Sequence, residues 1–335
     1  MKKGVFVIAE AGLNHNGSID IARSLVDVAA AAGCDCVKFQ KRNVATLAVG
    51  DVLDAPDTRF PSLGSTYRAL REKHEFSMEE FRELKTRAES KGLAFMVTPF
   101  DTQSVDFLEV LGVDRYKVAS HSVTNLPFLR YLAGKRKPVF MSTGMCTLEE
   151  LDSAVGVFGR ADVPLTLFHC VSVYPTPFED CNLGMLKTLH DRYRIPVGFS
   201  GHEIGWIPTL IAVGMGAVAV ERHISLDKKM EGFDHKLSLE PKELAEMVKE
   251  IRLVEKMRGT GLKGVTEREE VTRKKYHVSM VSAKPIKAGT VLTDDLVTWK
   301  NPGTGIPYKE LENYLGKKTA QDIPADTLLA PEMFK

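Results

Sequence analysis

The chain has 335 residues, of which 44% are hydrophobic, so it can bury a sizeable core in one large domain and one small one. Its 45 basic and 44 acidic residues leave a formal charge of +1, which excludes a global field that would attract nucleic acid or an anionic membrane. The sequence has no uninterrupted apolar stretch of about 18 residues, and its five cysteines follow no zinc-like spacing. We therefore expect a cytoplasmic protein with reduced thiols.

Eight short apolar runs alternate with helical patterns over the first two-thirds of the chain. The runs begin at Val5, Cys36, Leu93, Arg115, Pro138, Leu165, Pro196 and Ala217. Eight strands that alternate with helices are typical of a (β/α)8 barrel, the TIM barrel, and each run stops at a polar or charged residue. An open doubly wound sheet is the rival, but it usually carries a glycine-rich dinucleotide motif, and Gly12–Gly17 does not match one. The sequence therefore favours a closed barrel whose polar strand ends meet at one mouth.

Helix signals follow several of these strands. Ser18 is placed to cap the first helix, and Ser77 and Thr147 each begin a capping box with a glutamate three residues later. Pro241 is placed in the first turn of another helix. Residues 41–76 form a long irregular connection, which in a compact domain is typical of a functional loop, and we expect it to cover the barrel mouth.

The composition changes after residue 258, where three glycines precede a charged run. We assign residues 1–258 to the barrel domain, residues 259–278 to a linker and residues 279–335 to a small β-rich domain. A pattern recurs within the small domain and predicts two similar units that pair by pseudo-symmetry. The pattern is Ala283, Ile286, Thr290 and Leu292, repeated as Ala320, Ile323, Thr327 and Leu329. Because fewer than about 60 residues bury little surface, we expect this domain to lean on another surface, such as a partner subunit.

Two lysines and four hydroxyl residues stand at the strand ends. Lys38 and Lys117 follow or lie within apolar strands, where a lysine is costly to bury unless it faces a polar mouth and meets an anion. Hydroxyls at equivalent levels suit the orientation of phosphate oxygens, and they belong to Thr98, Ser120, Ser142 and Ser200. A second interpretation is that each lysine extends out of the barrel end and each hydroxyl only caps a turn.

Two histidines and one carboxylate complete the set of candidates. His202 and His223 end two successive strands, so both imidazoles could reach one divalent cation whose other ligands are water and substrate oxygens. Either could instead be an ordinary hydrogen-bonded barrel residue. Glu10 ends the first strand and could move a proton or hold a water. Its alternative role is a salt bridge to a barrel lysine.

Eight segments, in order along the chain, resemble those of the sialic acid synthases. They are Ala9–Gly17, Val37–Gln40, Tyr116–Ser120, Ser142–Met145, His169–Cys170, Tyr174–Pro177, Ser200–Glu203 and Glu221–Asp227. The C-terminal residues are similar to the antifreeze-like (β-clip, SAF) domain of the same family. The resemblance covers nearly the whole chain, and it implies a barrel enzyme with a SAF domain.

The activity that this resemblance implies is the condensation of phosphoenolpyruvate with an open-chain N-acetylhexosamine, which gives a nonulosonic acid and phosphate. It implies that phosphoenolpyruvate is held by Lys38, Gln40, Thr98, Lys117, Ser120, Ser142, Ser172 and Ser200. It also implies that His202 and His223 bind Mn²⁺, with Mg²⁺ or Co²⁺ as alternatives, and that Glu10 handles the proton. Tyr174 and Asp234 would line the sugar site. A domain-swapped homodimer would close each barrel with the partner's small domain.

The chain departs from the family pattern at two positions. Many relatives have an acidic residue where this chain has Ser122, and bacterial relatives often have an arginine where it has Asn301. We therefore expect an acceptor sugar that differs from N-acetylmannosamine, through a 6-phosphate or altered groups along its chain. Two other classes of function remain open, a sialic acid aldolase with a Schiff-base lysine and a non-catalytic carbohydrate-binding protein.

Overall fold

The computed structural model describes residues 4–335, which form two compact units. The first unit ends at Gly259, and the second extends from Thr260 to Lys335. None of the helices formed by residues 4–335 combines the length and the apolar character that a membrane crossing needs.

Eight parallel strands form the centre of the first unit, and each starts within two residues of the predicted position. They are β1 (Phe6–Gly12), β2 (Cys36–Lys41), β3 (Ala94–Pro99), β4 (Tyr116–Val118), β5 (Val139–Ser142), β6 (Leu165–Cys170), β7 (Val197–Gly201) and β8 (Ala219–His223). Their hydrogen-bonded order is β3-β2-β1-β8-β7-β6-β5-β4, and the two end strands, β3 and β4, are neighbours in space. The predicted eight-stranded barrel is confirmed.

Apolar side chains on the inner faces of the strands fill the barrel interior. Ile8, Met96, Phe140 and Phe168 belong to this inner cluster, so the barrel is a packed core and not a pore. A larger apolar cluster lies between the outer faces of the strands and the surrounding helices. Because both faces of each strand are buried, the strands read as the continuous apolar runs seen in the sequence.

Ten α-helices lie within the described residues of the first unit, 4–259. They are α1 (Ile19–Ala31), α2 (Gly50–Leu53), α3 (Tyr67–Lys73), α4 (Met78–Ser90), α5 (Thr102–Leu111), α6 (Leu126–Ala133), α7 (Leu148–Arg160), α8 (Met185–Tyr193), α9 (Ile207–Gly214) and α10 (Pro241–Arg258). Ser18 caps α1, and Ser77 and Thr147 form the predicted capping boxes of α4 and α7. Each cap uses a side-chain oxygen to satisfy a backbone N–H that has no partner inside its helix.

The long connection at residues 41–76 is more ordered than the sequence indicated. The prediction of an irregular segment is wrong in part, because α2 and α3 lie within it and Thr66 caps α3. Side chains tie it to the loop that follows β8. The rings of Phe60 and Phe233 meet at 4.7 Å between centroids, and Ser62 Oγ donates a hydrogen bond of 2.6 Å to Glu231.

The second unit combines one helix with a small β structure. Within the expected linker, α11 (Glu267–Tyr276) begins at a capping box formed by Thr266, a helix that the sequence analysis did not predict. The antiparallel strands β9 (Ser279–Ser282) and β10 (Val297–Lys300) pair with each other. Ile286 and Ile323, equivalent positions of the predicted repeat, exchange two backbone hydrogen bonds of 2.8 Å. The pseudo-symmetric pairing is therefore confirmed at this pair.

Candidate active site

A cavity of about 640 Å³ lies at the carboxyl ends of the barrel strands. This volume is within the range of about 300–1,000 Å³ that is usual for small-molecule sites. Every candidate residue taken from the sequence lines it: Glu10, Lys38, Gln40, Thr98, Lys117, Ser120, Ser142, Ser172, Tyr174, Ser200, His202, His223 and Asp234. Parallel strands end at one rim of a barrel, so residues far apart in sequence meet there.

Lys38 is buried and fully partnered. Its Nζ lies 2.8 Å from Glu10 Oε2 and 3.7 Å from Glu221 Oε1. It also donates a hydrogen bond of 2.9 Å to Thr98 Oγ1. The lysine therefore does not extend out of the barrel end, and that alternative is wrong for Lys38.

Lys117 is buried in a similar environment. Its Nζ donates a hydrogen bond of 2.5 Å to Ser142 Oγ and lies 3.7 Å from Glu221 Oε2. Burial lowers the pKa of Lys117, while the negative charge of Glu221 acts in the opposite direction. Two ammonium groups and a row of hydroxyls thus share one cavity, an arrangement suited to an anion with several oxygens.

Glu221 links the two lysines and is a site residue that the sequence analysis missed. Burial alone would raise the pKa of Glu221, but Lys117 and Lys38 lower it to about 2, so the carboxylate is ionised at neutral pH. The signal was present in the sequence: side chains alternate along a strand, so the residue two positions before His223 faces the same side. Ser200 adds a hydrogen bond of 3.2 Å to this carboxylate.

Glu10 makes the salt bridge that was its alternative interpretation, and it still faces the cavity. Its Oε1 accepts a hydrogen bond of 2.8 Å from Gln40 Nε2, while Lys38 contacts its other oxygen. Burial raises the pKa of Glu10, opposed by the charge of Lys38 and supported by the charge of Glu221. A carboxyl whose pKa is raised is suited to exchanging a proton with a bound substrate.

Two further hydroxyls approach the loop after β5 closely. Ser120 Oγ accepts a hydrogen bond of 3.0 Å from the backbone N–H of Gly144. A Cβ added at Gly144 would overlap the hydroxyl oxygens of Ser120 and Ser172. Only glycine therefore allows this backbone to pass so near the two serines.

The two histidines lie side by side at the ends of β7 and β8. The ring centroids of His202 and His223 are 5.4 Å apart, and the ring of Tyr174 lies 4.1 Å from that of His202. His202 Nδ1 is 2.8 Å from the carbonyl oxygen of Val171, so it carries the proton and leaves Nε2 free to accept. His223 Nδ1 is buried, has no hydrogen-bond partner among residues 4–335, and lies 3.5 Å from Asp234 Oδ2.

These observations fit a divalent cation held in part by the protein. Burial lowers the pKa of His223 to about 4, so its imidazole is neutral at pH 7, the form that binds metals. Within residues 4–335 no group of three or more His, Cys, Asp or Glu side chains is arranged to hold a metal ion. The two imidazoles would therefore be the protein's donors, and water and substrate oxygens would have to supply the other ligands.

The segment after β4 contains Ser122, one of the two departures from the family pattern. Ser122 is buried and does not line the cavity; its hydroxyl lies 2.9 Å from His121 Nδ1. His121 takes the place at the cavity wall, with its ring 5.3 Å from that of Phe100. Asn301, the other departure, belongs to the second unit.

Three arginines of the cavity were not predicted from the sequence. Arg42, Arg59 and Arg71 line the cavity from the long connection, together with Phe60 and Tyr67. Their presence confirms that residues 41–76 contribute to the barrel mouth. The pattern of a loop does not reveal which of its side chains turn inward, so these residues carried no sequence signal.

A buried ion pair lies behind the two histidines. Arg222, which precedes His223, is fully buried and forms an ion pair with Glu203, which follows His202. The guanidinium also donates hydrogen bonds of 2.6 Å to the Glu203 carbonyl oxygen and 3.2 Å to Thr209 Oγ1. These bonds tie the end of β7 to the end of β8 and to α9, and so fix the spacing of the histidines.

A closed parallel barrel with paired lysines, a histidine pair and a carboxyl at its carboxyl-end mouth is typical of a barrel enzyme. Comparison with known families supplies the particular relationship. Residues 25–263 match the NeuB family, and residues 277–335 match the SAF domain. The chain belongs to the NeuB family and is an N-acetylneuraminate synthase-like enzyme.

Individual relatives extend this match over nearly the whole chain. N,N'-diacetyllegionaminic acid synthase of Campylobacter jejuni is 36% identical over 98% of this chain and 99% of its own length. N-acetylneuraminate-9-phosphate synthase of Homo sapiens is 36% identical over 98% of this chain and 92% of its own. The crystal structure of N-acetylneuraminic acid synthetase from Leptospira borgpetersenii, in complex with citrate, has a TM-score of 0.72 at 34% identity, and the match covers 81% of this chain and 90% of that one.

Proposed function

We propose that this enzyme condenses phosphoenolpyruvate with an N-acetylhexosamine to give a nonulosonic acid and phosphate. The observation that carries the proposal is the cavity in which two buried lysines and several hydroxyls lie beside a pair of histidines. The relatives support this proposal, because they are named as synthases of N,N'-diacetyllegionaminic acid and of N-acetylneuraminate 9-phosphate.

Phosphoenolpyruvate carries a phosphate and a carboxylate, and the lysines would contact the oxygens of both while sharing their charge with Glu221. Charge-assisted hydrogen bonds from ammonium groups to such oxygens are shorter and stronger than neutral ones. The hydroxyls and the amide would then fix the orientation of the substrate. The proposed contacts are Lys38, Gln40, Thr98, Lys117, Ser120, Ser142, Ser172 and Ser200.

His202 and His223 would hold a divalent cation, most simply Mn²⁺, with Mg²⁺ or Co²⁺ as alternatives. When bound, such an ion supplies Lewis-acid polarisation of the sugar aldehyde. Tyr174 and Asp234, which adjoin the two histidines, would position the open-chain sugar. The buried bonds of Arg222 would keep both imidazoles in place.

The reaction forms one carbon–carbon bond and breaks one carbon–oxygen bond. C3 of phosphoenolpyruvate attacks the aldehyde carbon, whose oxygen becomes a hydroxyl. The aldehyde oxygen takes up one proton, and water adds to C2 with loss of one proton, which balances it. The C2 hydroxyl then loses its second proton as the C2–O bond to phosphate breaks, so that the keto group forms and phosphate departs with that proton. Glu10, a buried carboxyl whose pKa is raised, would exchange the proton with these oxygens.

The direct test is incubation with phosphoenolpyruvate, Mn²⁺ and a panel of hexosamines, with phosphate release and product mass as readouts. Phosphate should appear only when all three are present, and chelation should abolish it. Reduction with borohydride in the presence of pyruvate should leave the protein mass unchanged, because no Schiff base forms. An adduct on a lysine would favour the aldolase, and no turnover with any sugar would favour the non-catalytic alternative.

We also propose that the enzyme works as a domain-swapped homodimer. The small core of the second unit, which includes Met280, Leu292 and Leu329, supports this, because so short a segment buries little surface by itself. Light scattering coupled to size-exclusion chromatography should give twice the chain mass of 37.1 kDa. Mixing a barrel-site variant with a variant of the second unit should then restore activity in part.

A further inference from the structure

One wall of the cavity carries arginines that have no role in the proposed binding of phosphoenolpyruvate by the lysines. Arg42, Arg59 and Arg71, here called the arginine wall, all come from the long connection between β2 and α4. They line the same cavity as the lysines but belong to a different part of the chain. Three guanidinium groups in one small-molecule site are suited to an anionic ligand group.

Two members of the arginine wall are already paired with carboxylates. Arg42 is buried, with Nη1 3.3 Å from Glu75 Oε1 and its guanidinium 4.5 Å from the ring centre of Phe100. Arg59 Nη2 lies 2.5 Å from Asp57 Oδ2. These carboxylates hold the two arginines in place and offset part of their charge.

Arg71 differs, because no carboxylate pairs with it in the part of the chain that the structure describes. Its guanidinium contacts two rings, with Cζ 4.8 Å from the centre of Tyr67 and 4.5 Å from that of Phe233. Its Nε is buried and meets no hydrogen-bond partner among residues 4–335. Contact with aromatic faces holds a guanidinium in place and leaves its edge N–H groups available for a ligand.

The charge balance of the wall matches a phosphate monoester. Lys41 lies 2.7 Å from Glu75 Oε2, so the wall with its neighbours has four basic groups against the carboxylates of Glu75 and Asp57. Two positive charges remain, and a phosphate monoester carries about −1.5 to −2 at pH 7. A ligand with a single carboxylate group would neutralise only one of these two positive charges.

We propose that the arginine wall binds a phosphate group on the acceptor sugar, with Arg71 as its main contact. The acceptor is then an N-acetylhexosamine phosphate, and the arginine wall selects it over the neutral sugar. This inference rests on the proposed condensation, since it names the second substrate of the same site. The lysines serve phosphoenolpyruvate, and the arginines serve the acceptor.

The test compares two arginines of one helix. Arg71→Gln removes the unpaired guanidinium, and Arg68→Gln is the matched control, because Arg68 also lies in α3 but pairs with Asp54 at 2.7 Å and does not line the cavity. For each protein, kcat/KM is measured with N-acetylmannosamine and with N-acetylmannosamine 6-phosphate, and KM is measured for phosphoenolpyruvate. Calorimetry with the sugar phosphate alone gives its affinity without turnover.

The unaltered enzyme should prefer the phosphorylated sugar by about 100-fold or more in kcat/KM. Arg71→Gln should lower kcat/KM for that sugar by about 10- to 100-fold. It should leave the values for the neutral sugar and for phosphoenolpyruvate within about threefold, and Arg68→Gln should change none of them.

Several results would overturn the inference while leaving the condensation intact. They are equal or better use of the neutral sugar, an Arg71→Gln effect confined to phosphoenolpyruvate, or equal use of the 6-carboxylate analogue N-acetylmannosaminuronate. If no sugar is condensed, the proposed function fails. Calorimetry with the sugar phosphate then still decides whether the arginine wall binds a phosphate group. Saturable binding of the sugar phosphate that Arg71→Gln removes supports the arginine wall, and absence of binding overturns it.

Discussion

Replacing Arg222 by methionine should lower the free energy of unfolding of the barrel by about 3–5 kcal/mol, the usual cost of removing one partner of a buried ion pair. Arg222 is fully buried and binds the carboxylate and the carbonyl oxygen of Glu203 as well as Thr209 Oγ1. Within the described part of the chain Glu203 Oε2 has no hydrogen-bond partner, so the variant would leave the carboxylate without a positive partner and away from water, with only the hydroxyl of Thr209 beside it. At about 2–4 °C per kcal/mol, the melting temperature should fall by about 10 °C.

The two tryptophans of the chain allow a clean assay. Trp206 lies beside the start of α9 in the first unit, and Trp299 lies in β10 of the second. In a Trp299→Phe background, fluorescence therefore follows the barrel alone during urea unfolding. The free energy of unfolding is measured in this background for the parent, Arg222→Met, Glu203→Gln and the double variant.

The double variant decides whether an unpaired charge causes the loss. With no buried charge left, it should be more stable than Arg222→Met alone, so the two changes should be strongly non-additive. A stability of Arg222→Met within about 0.5 kcal/mol of the parent, the range of ordinary surface changes, would refute a role for the ion pair in stability. Simple addition of the two single losses would refute the unpaired charge as their cause.

Three other changes test the site and the core. Glu10→Gln should lower kcat by about 100- to 10,000-fold, because it removes the proposed proton carrier, and steady-state phosphate release with an unchanged kcat would contradict that role. Lys117→Met should raise KM for phosphoenolpyruvate by about 10- to 100-fold through the loss of charge-assisted bonds, and an unaltered KM would count against the lysine. Burial lowers the pKa of His74 to about 4, from about 6.5 in an unfolded chain. The contribution of neutral His74 to the free energy of unfolding is therefore complete above pH 6.5 and is lost as the pH falls toward 4. The midpoint of urea unfolding should decline over that pH range, and it should decline less in His74→Gln. Midpoints that fall equally with pH in the parent and in His74→Gln would refute this.

The residues of the barrel mouth that could be predicted from the sequence are those at the ends of strands. Lys38, Lys117 and His223 were found because a polar residue after an apolar run marks the carboxyl end of a barrel strand. Glu221 was missed although alternation along β8 places it on the same face as His223. The side chain at the cavity wall after β4 was not predicted: His121 lines the cavity there, while Ser122 is buried away from it.

The partners of these residues could not be predicted. Nothing in the sequence indicates that Glu221 contacts both lysines, or that Arg222 pairs with Glu203 behind the histidines. Such contacts join strands that are distant in sequence, and their distances depend on how the barrel closes. The helices α2 and α3 were likewise missed, because both are short and the second depends on its Thr66 cap.

The sequence by itself determined the barrel, its strand starts, the principal helix caps and most residues of the mouth. These follow from local rules, namely continuous apolar runs in strands buried on both faces, side-chain alternation and hydrogen bonding at helix ends. Only the tertiary structure decided which charges neutralise one another and which side chains of the long connection reach the cavity. The arginine wall exists because contacts such as Phe60 with Phe233 hold that connection over the mouth, and no local pattern encodes a contact between such distant segments.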